Sequence, residues 1–518
     1  MRAPDRSLSR PWLRPSTRAA LMALGTLGLA ACGDGSAPAP ADTFAPLGDD
    51  VYHPVAPPDA AVPEALAADR WVAHYQDDLR PYWVAPEALG TPEGNFPTFR
   101  GMDGRVLPQT ERRPRMLSRQ TWAYAAGYLL TGERRLLELS AAGASWLRDH
   151  AIDRDLGGCH ELLTAAGAPA GSVRTAQDLS YCVMGLAGFY FVTRDPAAEQ
   201  DLLLARDWLF DPAKYWDADA GQIRDALAAD MSTPVDVEGD GGRELVAQLD
   251  PVNAFMLLVQ PVLSTPAARA SLLADLRTLG QVMVDDFLSD GLFWGVDTNH
   301  GKYGTKHVDW GHTLKSYWML LQIDKRLPDH PFHAVVFPAV HDLLARAYDA
   351  ENGRWSKRPK SATAVEYGSD WWIYAELDQI AATLDLIDRR YTDTLAQTAG
   401  HWLTDYVDRV YAAGEVIPGI KRDGSPAWTW PAADNAKCNA WKNGFHSAEH
   451  ALVLGLLGDF RDDGEASLHF AVPPADADTF IARPYLFDGR ELRREKGETF
   501  TVGGRELMAV KVTFGELY

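Results

Sequence analysis

DWGHTLKSYWMLL, Asp309–Leu321, has a polar head and an apolar body: Gly311 and His312 open a run whose apolar residues recur at helical spacing. One such run decides little, but its repetition decides the fold. Helical patterns recur near residues 64–80, 115–131, 135–150, 175–193, 196–210, 243–263, 266–288, 310–326, 331–350, 371–387, 391–411 and 443–457, about twelve helices by apolar spacing. Those starting near 115, 175, 243, 310, 371 and 443 recur about every 60–70 residues, each after a long loop, and most are followed closely by a second helix. Helices paired in this way close into an all-α (α/α)6 toroid. The long loops place glycine turns amid strand-like residues (DLGGCHELLTAAG, ADAGQIRDAL, SDGLFWGVD, ENGRWSKRP, EVIPGIKRDG), which predicts short β-hairpins rimming one end of the barrel.

On either side of this repeat the chain changes character. Arg2, Arg6, Arg10, Arg14 and Arg18 precede the apolar run AALMALGTLGLAA, which ends in Leu29-Ala30-Ala31-Cys32. A basic segment, an apolar segment and a small-residue cleavage site predict a lipoprotein signal peptide over residues 1–31. LAAC resembles a bacterial lipobox. That implies cleavage before Cys32, lipidation of its thiol, and an exported protein of the bacterial cell envelope, periplasmic or outer-membrane facing, that meets the membrane only through its lipid. An ordinary signal peptide with an incidental cysteine is the alternative. Residues 32–62, rich in Pro, Ala, Gly and Asp, read as a flexible tether, and residues 63–462 as the barrel. No later apolar run reads as long enough to span a bilayer. From Ala466 the text alternates as ASLHFAV, TFIARPYLF, GETFTVGG and ELMAVKVTF, so 463–518 read as a small antiparallel β appendage packed against the barrel.

With 518 residues, 46% of them hydrophobic, the chain is long enough for a large core, and a formal charge of -21 excludes a general nucleic-acid binder. A neutral or cationic ligand suits that charge, as does a merely solvated acidic surface. Beyond Cys32 three cysteines remain, Cys159, Cys182 and Cys438. Two of them could pair in an exported protein, while Cys182, inside LSYCVMGLAGFY, also reads as a small core residue. No CxxC pair, HExxH or P-loop occurs in the sequence, so neither a metal nor a nucleotide cofactor is expected. Oligomeric state is left open.

Polar and aromatic residues gather at the starts of one helix set. Arg119 and Trp122 open the helix near 115, Asn253 lies in the one near 243, and His312 opens the one near 310. Trp371, Trp372 and Glu376 open the helix near 371, and Trp441 and His446 the last. If these alternate helices form the inner ring, their N-termini converge on one cavity where helix dipoles favour developing negative charge. The chain has 17 tryptophans, many near these starts, which suits stacking on the apolar faces of sugar rings; large barrels also use Trp as core filler. A small carbohydrate is the expected partner.

Several of these segments carry a family resemblance. SRQTWAYAAGYLLTG, GGCHELLTAAGAP, DLSYCVMGLAGFYFVTRDP, GHTLKSYWMLL, DWWIYAELDQ and WKNGFHSAEH follow in order and spacing the motifs of the N-acylglucosamine 2-epimerase superfamily, which includes cellobiose 2-epimerases and aldose–ketose isomerases. The resemblance covers roughly residues 64–460 and implies an (α/α)6 barrel that moves a proton at C2 of a mono- or disaccharide through an enediolate. It implies His312 and His446 as the catalytic acid/base pair. Arg119, Trp122, Asn253, Trp371, Trp372, Glu376, Trp441 and Lys315 are then the substrate contacts.

The chain departs from that pattern at three places. Leu257 stands where the family's Asn-x-x-Met-His segment has its histidine, Gln260 replaces the glutamate that follows, and Lys315 replaces the glutamate that supports the histidine matching His312. Lys315 reads in two ways, as a solvated or substrate-hydroxyl contact, or as an ammonium aimed at His312 that lowers its basicity. Two other functions are therefore open. One is an (α/α)6 glycoside hydrolase using paired carboxylates from among Asp178, Asp309, Asp370 and Glu376. The other is a non-catalytic glycan-binding lipoprotein. His160, His300 and His307 are possible substrate contacts in the rim loops, and His450 reads as structural.

Overall fold

A helix that is apolar on every face has to be enclosed, and Ala176–Thr193 is such a helix: every residue but Gln177 is buried. The computed structural model describes residues 61–427 and 435–518 apart from 238, 240 and 242, together with Tyr52. The signal peptide, Cys32 and most of the expected tether lie outside the described residues. Ala176–Thr193 belongs to an inner ring with Pro114–Thr131, Trp310–Asp324, Trp371–Asp388 and Phe445–Asp463. The remaining member is Leu245–Pro251, continued through Val252–Met256 and Leu257–Val259 to Gln260–Val262. Each packs on the next, and the last on the first. Close approach of the first two needs a glycine, because a Cβ on Gly185 would lie 2.6 Å from the Ser118 carbonyl oxygen and 2.7 Å from Thr121 Cβ.

Outside this ring lie Arg134–His150, Pro196–Leu209, Pro266–Val282, His333–Ala347 and Thr392–His401. The sixth outer position falls to the N-terminal helix Ala68–Ala73, which packs on Phe445–Asp463 with Trp71 4.7 Å from the His450 ring. The (α/α)6 toroid is thus closed by the two ends of the repeat region. Leu245–Val262 has a mean hydropathy of 1.3, high enough for a membrane span by composition, yet 89% of it is buried inside the barrel. This corrects the expectation that no run past the N-terminal segment is long and apolar enough to span a bilayer. Enclosure by the other inner helices accounts for its apolarity.

Three rim hairpins form as expected, pairing Trp216–Asp217 with Gln222–Ile223, Leu288–Ser289 with Leu292–Phe293, and Tyr348–Asp349 with Arg354–Trp355. Two expected hairpins differ. DLGGCHELLTAAG makes only single bridges, Ile152 with Cys159 and Leu163 with both Arg112 and Pro169. Gly419–Ile420, within EVIPGIKRDG, pairs with Ser369–Asp370, and the Trp371 N–H donates to the Pro418 carbonyl at 3.0 Å. The loop also bridges to itself, Ile420 with Pro426, so Gly419–Ile420 is shared between its own turn and the strand that leads into an inner helix. Cys159 and Cys182 are joined by a disulfide that ties a rim loop to an inner helix, and Cys438 is a buried free thiol.

The C-terminal residues form one antiparallel sheet in the order Glu465–Val472, Arg505–Gly515, Arg490–Val502. It sits on the inner helices through Phe470, which accepts from the Tyr128 hydroxyl at 3.3 Å and lies 5.9 Å from the Phe191 ring. The connection between its first two strands in sequence runs beneath the barrel. Arg194, at the C-terminus of its inner helix, donates to the Ile481 carbonyl, and Tyr485 reaches inward to Glu449. Within the expected tether, the Tyr52 hydroxyl donates to Asp324 at 2.6 Å.

Candidate active site

The first turns of the inner helices line a cavity of ≈ 160 Å³. Of the residues picked out from sequence, Arg119, His312, Lys315, Trp371, Trp372, Trp441 and His446 line it, and His307 does so among the rim histidines. Arg115, Gln177, Tyr181 and Asp250 complete the wall. A wider cleft of ≈ 560 Å³ shares Trp371, Trp372 and Trp441 and extends to Lys357, Asp370 and Ile417. Trp441, 69% exposed, is the platform between the two.

His312 is fixed by its own helix start. Asp309 precedes the Trp310–Asp324 helix and caps it, one carboxylate oxygen accepting from the His312 N–H at 2.8 Å. The other oxygen lies 2.8 Å from His312 Nδ1. A proton on Nδ1 satisfies that carboxylate and leaves Nε2 as a free base. Asp309 is thus the carboxylate partner that Lys315 cannot be. Burial alone would raise its pKa, but the His312 ring and N–H hold it below the usual carboxylate value. Gly311 makes room beside the histidine: a Cβ there would meet the Trp372 ring at 2.3 Å. Trp372 consequently sits 4.8 Å from the His312 ring and 6.0 Å from that of His446, between the two imidazoles.

His446 lies over a buried charge cluster. Its Nδ1 is 3.2 Å from Glu376 Oε1, and the Lys315 ammonium is 3.3 Å from the same oxygen. Neither contact is aligned as a hydrogen bond, so both Glu376 oxygens and His446 Nδ1 lack a directed partner. Burial, with Lys315 and Arg119 nearby, pushes the imidazole down to about 4 against the pull of Glu376, so it is neutral at physiological pH. Burial opposes charge on Lys315 too, but Glu376, Tyr181 and Asp250 hold its ammonium above the ordinary value. Glu376 stays an anion below the usual carboxylate range, because Lys315 and His446 outweigh its burial. Two of the sequence readings of Lys315 are corrected, the solvated one and the ammonium aimed at His312: it is buried between two inner helices as the cation of Glu376, and it borders the cavity.

Three further expectations change. Trp122 packs edge-on against Phe445 at 4.9 Å and Tyr485 at 6.2 Å, inside the core and away from the cavity. Asn253 does not line the cavity; Asp250, one turn nearer the rim, does, accepting from the Tyr181 hydroxyl at 2.8 Å. Glu376 is fully buried beneath the wall, so it supports the site and does not face its contents. In each case the residue lies too far along its helix for the rim end, and the position three or four residues earlier shares its face and reaches the cavity. Arg119 lines the cavity: its guanidinium lies 3.8 Å over the Tyr181 ring and makes no ion pair among the described residues. His160 and His300 are not among the residues that line the cavity and instead contact Asp153 and the Asp286 carbonyl, and His450 pairs with Asp378 at 3.0 Å in the core.

Each carboxylate weighed for a hydrolase has a partner. Asp178 accepts from Thr175 and contacts Arg115 at 3.3 Å, Asp309 serves His312, Glu376 serves Lys315, and Asp370 contacts Lys357 at 3.0 Å.

Comparison with known proteins places this geometry. No family model matches the chain. A cellobiose 2-epimerase of Bacteroides fragilis is 23% identical over 410 residues, covering 74% of this chain and 96% of that protein. The solved cellobiose 2-epimerase of Spirochaeta thermophila superposes with a TM-score of 0.64 at 18% identity, covering 76% of this chain and 96% of its own. A D-mannose isomerase gives 0.63 at 18% identity, covering 76% and 99%. The chain is an (α/α)6 barrel of the class these proteins share.

Proposed function

We propose that this chain is a carbohydrate 2-epimerase or aldose–ketose isomerase that moves a proton at C2 of a mono- or disaccharide. One observation carries the reading: two imidazoles on the first turns of two inner helices share a cavity with a buried arginine that makes no ion pair among the described residues. The names of the relatives agree with it. In the proposed reaction one imidazole takes the C2 proton from the open-chain aldose, and the electron pair moves into an enediolate whose oxyanion is stabilised by Arg119. Return of a proton to the other face of C2 from the second imidazole gives the epimer; return to C1, with the hydroxyl proton passing from O2 to O1, gives the ketose. His446, held neutral over Glu376, is ready to accept a proton, and Glu376 then stabilises the imidazolium. Asp309 does the same for His312.

The test is deuterium incorporation at C2. Full-length protein is incubated in heavy water with mannose, glucose, N-acetylglucosamine or cellobiose and followed by NMR. At least one sugar is expected to exchange, and His312→Asn and His446→Asn should each slow exchange by about 10²–10⁴-fold. Exchange at the parental rate in both variants overturns the mechanism. Binding without exchange in the parent favours a glycan-binding role. We further propose that Cys32 is lipidated in the bacterial envelope; fatty-acid labelling that persists in Cys32→Ser would refute it.

A further inference from the structure

The C-terminal segment ends its run beneath the barrel in the same charge cluster that supports His446. Tyr485 lies between the first two strands of the C-terminal sheet in sequence, is buried, and has a left-handed backbone with φ 61°. Such a conformation is costly for a non-glycine residue and persists where its surroundings hold it. Here the hydroxyl donates to Glu449 Oε1 and the ring packs on Trp122. Glu449 is one turn along the helix from His446. One donor atom each of Glu449, Glu376 and His446 lies within 4.8 Å of the others, and Glu449 Oε2 joins the Glu376 oxygens and His446 Nδ1 in lacking an aligned partner. Buried polar atoms left so are uncommon, and four around one point mark a place where charge is being held.

We propose that Tyr485 is a positioning residue of the site: its hydroxyl holds the Glu449 carboxyl group beside Glu376, and through Glu376 sets the charge that His446 faces. The kinetic part of this inference rests on the proposed proton transfer at C2. The groups acting on Glu449 come from every side: Glu376 from the Trp371 helix, Lys315 from the Trp310 helix, Arg119 from the Pro114 helix, His446 on its own helix and Tyr485 from below. Burial and the Glu376 carboxylate push Glu449 up to about 8, while the Tyr485 hydroxyl, Lys315 and Arg119 act the other way. Below that pH Glu449 is a neutral acid and the cluster holds one carboxylate. Above it, a second negative charge develops beside His446. Removing the Tyr485 hydroxyl removes a donor to the carboxylate form, so Glu449 should keep its proton to higher pH.

The experiment uses the full-length protein and Tyr485→Phe, with carbon-13 NMR of labelled glutamate carboxyls assigned through Glu449→Gln. The Glu449 titration should move up by about one pH unit in Tyr485→Phe, and the alkaline limb of the C2 exchange profile should move with it. Glu449→Gln, which keeps shape but cannot ionise, should lose that limb. If Tyr485→Phe titrates and exchanges as the parent does at every pH, the inference is overturned. If Tyr485→Phe does not fold, an unchanged profile in Glu449→Gln overturns it as well. A parent that exchanges no sugar sinks the functional reading alone, and the carboxyl titration still decides the role of Tyr485.

Discussion

At the scale of the residue, Lys315 is the position where sequence and structure part most clearly. Read along one helix, it is a basic residue three places after His312. In the barrel it is the cation of Glu376, 3.3 Å away and buried with it. Lys315→Glu, which the family pattern would suggest as a restoration, places a second carboxylate against Glu376 and should cost about 3–5 kcal/mol in denaturant unfolding. The exchanged pair Lys315→Glu with Glu376→Lys should recover a large part of that loss; a double variant no more stable than the single one would show that the pairing is not what stabilises this position. His446 leads to a pH prediction. Its folded pKa, about 4, lies below the ordinary imidazole value of 6.5, so between those values the unfolded chain binds a proton that the folded chain does not. Its contribution is fully present above pH 6.5 and is lost as pH falls through about 4. Thermal melts of His446→Asn should therefore lose less stability than the parent between pH 6.5 and 4.

At the scale of the element, the start of the Trp310–Asp324 helix is both a cap and the support of the His312 ring. Asp309→Ala removes the cap, at a cost of about 0.5–2 kcal/mol, and also the partner of His312 Nδ1. A loss of C2 exchange larger than the stability loss accounts for would separate the two roles, and equal exchange in parent and variant would show that the imidazole needs no orienting carboxylate. Gly311→Ala tests the same turn from its other side. The methyl group would meet Trp372 at 2.3 Å, so the ring must move from between the imidazoles. Tryptophan fluorescence should change and exchange should fall; an unaltered emission spectrum would contradict the crowding. Helix positions were legible in the sequence because apolar spacing is a local property of the chain. The pairing of Gly419–Ile420 with Ser369–Asp370 was not, because hydrogen bonds between distant loops leave no periodic trace.

At the scale of the whole molecule, the C-terminal sheet is part of the barrel's floor. Removing residues 466–518 takes away Tyr485 and the covering of Trp122 and Glu449, so the truncated chain should lose cooperative unfolding and C2 exchange together. Retained exchange in a folded truncated protein would contradict that. The disulfide between Cys159 and Cys182 spans 23 residues, and its loss in Cys182→Ser should cost about 3 kcal/mol in unfolding free energy, measured without reductant. By itself the sequence determined the twelve helices, their alternation into inner and outer sets, the histidines at the inner helix starts, and Arg119 beside them, since each is set by spacing along one helix. Only the tertiary structure decided that Lys315 answers Glu376, that Asp250 and not Asn253 faces the cavity, that Trp122 is core, and that Tyr485 closes the site from below. Those facts depend on which faces of different helices meet, and on what burial does to a charge once they have met.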